Sequence, residues 1–504
     1  MNIKRAKEEI KHTVQAYLKK DAGGGYEIPA VRQRPILLMG PSGIGKTAVI
    51  EQAAGECGVG LVSYTITHHT RQSAMGLPFI KEKSFGGKTY SVTEYTMSEI
   101  IASVYECMER TGLSEGILFL DEINCVSETL APAMLQFLQC KRFGNQEVPE
   151  GWIIVAAGNP PEYNKSVKDF DIVTLDRVRR IDVKEDYSVW KEYAMRRSVH
   201  EAILSYLEIR KENFYSFRTD GYGKSFVTAR GWEDLSEILK AYEGLGIAPD
   251  YELIVQYVQD KKIAEDFADY YELYQNYRKD YRVGQILAGE ILKEALLRLA
   301  GAPFDERLSV TGLLLGSLHE DFAGYYEQNQ VTIRVHEALT GLKKRLSEGE
   351  EFDSAFGELM EEIEKEAERR KIRPADKEEE RIQRRTKKLL TSMRMQVKRS
   401  GVPDADSCFE QIRTQFRQIT DERQAQIRTA GERLANAFRF LEKAFGAGQE
   451  MVVFVTGLTT DFYAAEFLAD NGSQEYDNFH KELLLHDRKE KLLRDLKDFK
   501  EDMI

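Results

Sequence analysis

The stretch Ile36-Leu-Leu-Met-Gly40-Pro-Ser-Gly-Ile-Gly-Lys-Thr47-Ala48 decides the fold class. Its four leading apolar residues suit a strand buried on both faces. Gly40, Pro41, Ser42, Gly43, Ile44, Gly45, Lys46 and Thr47 then fit G-x-x-x-x-G-K-[ST] at every fixed position. Residues 48–57, opening at Ala48, are compatible with a helix. Strand, loop and helix in that order form a device for holding phosphate. Small residues let successive backbone N–H groups curl around phosphate oxygens, and the helix N-terminus adds partial positive charge. Lys46 is placed to reach the β- and γ-phosphates and Thr47 to ligate Mg²⁺, so ATP and Mg²⁺ are the expected ligands.

Working outward, Ile117-Leu-Phe-Leu-Asp121-Glu122 is an apolar run ending in two carboxylates. An acid at the carboxyl end of a strand can sit beside a phosphate loop, so Asp121 is expected to hold Mg²⁺ and Glu122 to polarise the attacking water. In Trp152-Ile-Ile-Val-Ala-Ala-Gly-Asn159-Pro, Asn159 can orient that water, although Asn-Pro alone is also a turn signal. Apolar runs at 36–39, 61–66, 117–120, 152–157 and 178–183 alternate with helical stretches. Five such strands predict an α/β fold, a mostly parallel sheet covered by helices on both faces. Ligands bind at the carboxyl ends of the strands in such sheets. Gly86-Gly87 between 79–83 and 88–92 predicts a hairpin, and residues 141–148 predict a second, turning at Gly144-Asn145. From about Asp186 the strands cease and the sequence reads as helix after helix; near the C-terminus Met451, Phe454, Val455, Leu458 and Phe462 follow helical spacing, with a strand through the valines as the alternative.

These motifs, with Leu175-Asp-Arg177, resemble the AAA+ superfamily of ATPases, and within it the MoxR-type members. Met75-Gly-Leu-Pro78, Val148-Pro-Glu-Gly-Trp152 and Thr228-Ala-Arg-Gly-Trp232 add to the likeness, which covers about residues 30–290. The resemblance implies a P-loop core with a five-stranded 5-1-4-3-2 sheet, a helical lid and a ring, usually a hexamer. It makes Asn159 similar to sensor 1, Arg230 to sensor 2, and Arg177 to an arginine finger that reaches a neighbour's nucleotide. Arg179 and Arg180 stand close enough to compete for the finger role, and Val178 replaces the family's usual aromatic. Ala229 stands where a proline commonly precedes the sensor-2 arginine. The two hairpins resemble the helix-2 insert and the pre-sensor-1 hairpin. A chaperone-like role on a protein client, often alongside a von Willebrand factor A domain protein, is implied by the same likeness.

The 504 residues leave room for roughly three domains. We expect an N-terminal helix and linker (1–30), the P-loop core (31–190), a helical lid (191–300) and a helical C-terminal region (301–504). Ile3, Ile10, Val14, Tyr17 and Leu18 fall near helical spacing, and Gly23 to Gly25 form a joint. Trp190 and Trp232 read as lid core. A net charge of −12 argues against generic nucleic-acid binding. Residues 348–368 carry a net −9 and residues 369–399 a net +9, which suits helices that neutralise each other. The basic segment keeps alive a nucleic-acid or restriction-type NTPase motor as the alternative; a metal-chelatase motor and a non-hydrolysing scaffold are narrower ones. Five scattered cysteines without C-x-x-C spacing suggest reduced thiols. No apolar stretch suits a membrane span and no targeting leader is evident, so the cytoplasm is the expected location.

Overall fold

The computed structural model describes residues 1–481 apart from 69, 144–145, 162–169, 171, 221–222, 291–292, 372–376 and 401–404. Its strands are β1 (Ile36–Met39), β2 (Gly60–Thr65), β3 (Pro78–Phe85), β4 (Lys88–Tyr95), β5 (Gly116–Asp121), β6 (Arg142–Phe143), β7 (Gln146–Glu147), β8 (Trp152–Gly158), β9 (Arg179–Asp182), β10 (Ser216–Asp220) and β11 (Gly223–Val227). Five of them pair in parallel in the order β2-β5-β8-β1-β9. Numbered among themselves, these strands stand 5-1-4-3-2, as the resemblance implies.

The apolar runs divide their side chains between two cores because successive residues of a strand face opposite ways. Leu37, Leu118, Leu120, Ile154 and Ala156 pack with Phe137 and Ile100 on one face. Ile36, Leu38, Ile117, Phe119, Ile153 and Val155 pack on the other, against Ala6, Ile10 and Val14 of the helix Ile3–Tyr17 and Ile50 of the helix Lys46–Cys57. Each such side chain contributes about 1.5–3 kcal/mol on full burial, and covering both faces is what makes the strands continuously apolar. At the amino ends of the strands the Trp152 ring lies over two glycines. A Cβ on Gly116 would come within 2.6 Å of that ring and one on Gly60 within 3.1 Å.

The hairpin β3–β4 turns at Gly86 and Gly87, whose φ of 57° and 79° are left-handed. Both its strands are almost wholly exposed. β6 and β7 form a second, shorter hairpin; its expected turn, Gly144-Asn145, lies outside the described residues. Strands do not cease at Asp186: β10 and β11 pair antiparallel within the lid. Arg218, Thr219, Lys224 and Ser225 make these strands polar, so no apolar alternation marked them in the sequence.

Beyond β9 one core joins Trp190, Tyr206, Trp232 and Phe267 of the lid to Leu314, Phe322, Phe438 and Phe454 of the C-terminal helices. The helices Phe304–Ser347 and Ala405–Phe445 run 44 and 41 residues. Their far halves pack with the helices Phe352–Lys371 and Lys377–Ser400 around a separate core that includes Val335, Phe356, Leu390 and Ile412. The acidic and basic segments neutralise each other where they meet: Lys387 pairs with Glu364, and Lys398 with Asp353 at 3.0 Å. The valines near residue 453 lie in the helix Gln449–Thr460, not in a strand. That helix stops at Asp461, whose carboxylate accepts the Tyr463 and Ala464 N–H groups and starts the next helix. Among the described residues no single helix is long and apolar enough to cross a membrane. All five cysteines are free thiols.

Candidate active site

Parallel strands bring their carboxyl ends to one edge, and the candidate residues collect there. Gly40 follows β1 directly, its N–H donating to Gly158 O at 3.3 Å. A Cβ on Gly40 would meet Ile44 Cδ1 and Val183 O at 2.9 Å, so the loop closes only around glycine. Gly43 and Gly45 take φ of 77° and 89°, a region that strains any residue with a β-carbon. The helix Lys46–Cys57 then starts inside the motif and aims its N-terminus at the loop.

Lys46 is buried, and its Nζ donates to Gly40 O, Pro41 O and Asn159 Oδ1, each at 2.8 Å. Three acceptors satisfy all three ammonium protons. Burial pushes its pKa down to about 8; the Asp121 carboxylate opposes that shift, and the positive charge of Arg230 adds to it. Phosphate oxygens beside the amine would favour its charged form.

Thr47 Oγ1 donates to Asp121 Oδ2 at 3.0 Å. These are hard oxygen donors of the kind Mg²⁺ takes, and Mg²⁺ is ordinarily held by one or two protein oxygens together with substrate phosphates and water. The pair fits that ion. Among the described residues no group of three or more His, Cys, Asp or Glu could hold a metal. Glu122 follows with a φ of 56°, uncommon outside glycine. It is over-determined by its neighbours: its N–H donates to Asp121 Oδ1 at 2.9 Å, its carbonyl accepts Cys125 N–H at 2.9 Å, and its carboxylate accepts the Thr67 hydroxyl at 3.1 Å. Backbone strain of this kind persists where neighbours over-determine it and clusters at active sites and switch regions.

Asn159 directly follows β8, with its side chain on Lys46 and its backbone on Asn124. Arg230 is exposed in the first turn of the lid helix Ala229–Leu245, close enough to the loop to act on Lys46. Thr228 caps that helix by accepting the Gly231 N–H at 3.1 Å, and its Cβ sits where a side chain on Gly43 would come within 3.0 Å. Tyr215 OH, also from the lid, donates to Ser42 O at 3.0 Å.

Arg177 does not join this cluster. It ends the helix Ile172–Arg177, exposed, with a hydrogen bond to Gln139. Register explains the separation: Arg179 pairs with Ile36, at the opposite end of β1 from the phosphate loop. Four residues of strand put Gly40 about 13 Å farther along, at about 3.3 Å per residue. The competing arginines are engaged elsewhere. Arg179 is held by Glu9 and Thr13 of the first helix, and Arg180 by Asp182 of its own strand.

Three contributors escaped the sequence reading. Asn124 stands two residues past Glu122 and shares its motif, a signal that was present. Thr67 and Tyr215 carried none, because only folding brings them to Glu122 and Ser42. Residues 36–173 match the model of the AAA family, the ATPase family associated with various cellular activities. The matched segment holds the phosphate loop, Asp121, Glu122 and Asn159, stops short of Arg177 and Arg230, and supports an AAA+ ATPase. No curated protein matches the chain.

Proposed function

We propose that the protein is a Mg²⁺-dependent ATP hydrolase of the MoxR type that works as a ring, a hexamer by the likeness, and spends turnover on remodelling a protein client. The observation that carries the reading is the Thr47–Asp121 contact beside the strained Glu122. Loop N–H groups and Lys46 hold the triphosphate. Mg²⁺ on Thr47 and Asp121 would neutralise phosphate charge during transfer. Glu122 accepts a proton from a water held by Asn159, and that oxygen displaces ADP from the γ-phosphorus, leaving inorganic phosphate. Arg230 reads the γ-phosphate from the same copy.

Arg177, carried away from its own loop by the register of β9, serves the adjoining copy. A guanidinium suits this task because it stays charged and offers a fork of donors. The hairpin β3–β4, with Ile80, Phe85 and Tyr90 exposed, offers the client an apolar surface. A von Willebrand factor A domain protein is the proposed partner. The pairing of Lys387 and Lys398 with acidic residues disfavours the nucleic-acid alternative.

The test combines turnover with assembly. ATPase activity per copy should fall on dilution as rings come apart, and Glu122→Gln should keep ATP binding while turnover drops about 10²–10⁴-fold. Unchanged activity at monomer concentrations, or a fully active Glu122→Gln, rejects the reading. Capture on ATP-loaded Glu122→Gln, followed by mass spectrometry and nuclease controls, separates a protein client from nucleic acid.

A further inference from the structure

The parallel ladder between β5 and β8 ends at the pair Leu120 and Ala156, yet the chemistry lies beyond it. Two further ties continue the pairing past the last rung. Ile123 N–H donates to Ala157 O at 2.9 Å. The Asn124 side chain then takes both backbone groups of Asn159: its Nδ2 donates to Asn159 O at 2.8 Å, and its Oδ1 accepts Asn159 N–H at 3.2 Å. One carboxamide thereby imitates a strand neighbour, offering a donor and an acceptor where the chain has already turned away. The clamp is built in. Asn124 is 4% exposed, and a Cβ on Gly158 would come within 2.7 Å of its Oδ1, so the approach depends on glycine at that position.

We infer that Asn124 is a positioning residue that couples the left-handed turn at Glu122 to Asn159, so that proton acceptor and water-orienting amide keep one geometry. This rests on the ATPase reading above. Asn124 is two residues from Glu122 on one side and bonded to Asn159 on the other. Both of its bonds go to main chain, so they fix where Asn159 stands while leaving its side chain free to exchange Lys46 for water. A misplacement near 1 Å at such a site costs about 10²-fold in rate. Loss of the clamp therefore acts on kcat, and the affinity supplied by Lys46 and the loop N–H groups persists.

The experiment is a double-mutant cycle on the full chain, with ATP Kd, kcat and thermal unfolding measured for each variant. Asn124→Ala should lower kcat about 10- to 100-fold with ATP Kd within about threefold of the parent. In an Asn159→Ala background the same change should cost little more, because residues acting as a unit are not additive. Asn124→Asp keeps the acceptor for Asn159 N–H but loses the donor, and should show the same kcat-only loss. If Asn124→Ala fails to fold, Gly158→Ala strains the same contact from the other strand and takes its place in the cycle. Costs that multiply in the Asn159→Ala background, or a loss that falls on Kd, overturn the inference. An inactive parent, or an Asn159→Ala variant as active as the parent, would instead reject the active-site reading itself.

Discussion

The sheet half and the helical half both bury ionisable groups, but they satisfy them over different distances. At the sheet edge Lys46 finds two of its three acceptors five and six residues away, in its own loop, and Glu122 is tied to Asp121 beside it. In the helical half Glu201 meets Tyr274, His319 meets Asp461, and Tyr463 reaches Arg196 O across 267 residues of chain. A phosphate site can be assembled from one loop because backbone groups supply most of its donors. A buried carboxylate among helices needs a side-chain partner from another helix. The first kind of site is written as a contiguous motif and the second is not.

The sharpest way to break this comparison is at Arg177, the member of the proposed machinery that stands apart from the cluster around the loop. Arg177→Ala should lower turnover about 10³–10⁵-fold, the range of arginine fingers. Arg179→Ala should leave turnover near the parent's and release Glu9 and Thr13 of the first helix from β9. Mixed rings of Arg177→Ala and Lys46→Ala copies should recover activity at interfaces pairing an intact loop with an intact finger. Equal losses at Arg177 and Arg179, or no recovery on mixing, would remove the trans assignment. Next in size is Lys46→Ala, which deletes charge-assisted hydrogen bonds and should weaken ATP binding about 10- to 100-fold by titration.

Away from the phosphate edge the comparison predicts effects on stability alone. Gly116→Ala pushes a methyl against the Trp152 ring and should cost about 1–3 kcal/mol in urea unfolding, seen as a lower midpoint with ATP affinity retained in the folded protein. The smallest effect expected is a pair of opposite pH trends in the lid. Burial raises the Glu201 pKa to about 7, so its contribution is present below its ordinary 4.5 and is lost as pH rises through 7. The His200 hydrogen bond foremost, against the opposing effect of burial, lowers the Glu243 pKa to about 2, so its contribution is present above 4.5 and is lost as pH falls toward 2. Glu201→Gln should flatten the alkaline side of the unfolding-midpoint profile and Glu243→Gln the acid side. Identical profiles for both variants would show that neither carboxyl is held as described.

Legibility followed the same divide. Ile36 to Met39 and Ile117 to Leu120 read as strands because burial on both faces demands continuous apolar residues. Their ends read as chemistry because polar residues follow abruptly. β10 and β11 were invisible because they are short and polar and draw their stability from each other and from the lid core under Val227. Phe462 kept helical spacing with Met451 and Phe454, yet the helix breaks at Asp461, since a carboxylate that caps a new N-terminus outweighs continuation. Arg177, Arg179 and Arg180 could not be ranked from composition. Their partners come from the first helix, from the helix Ala131–Cys140 and from β9 itself.

The sequence by itself determined the parallel sheet, the phosphate loop and the carboxylates beside it, because each depends on residues adjacent in the chain and on periodicities that neighbours impose. Tertiary structure alone decided which elements hold Arg177, Arg179 and Arg180, that Asn124 holds Asn159, and that lid and C-terminal helices share one core. Those outcomes depend on which surfaces meet, and the free energy of meeting belongs to pairs of distant residues rather than to any stretch of chain.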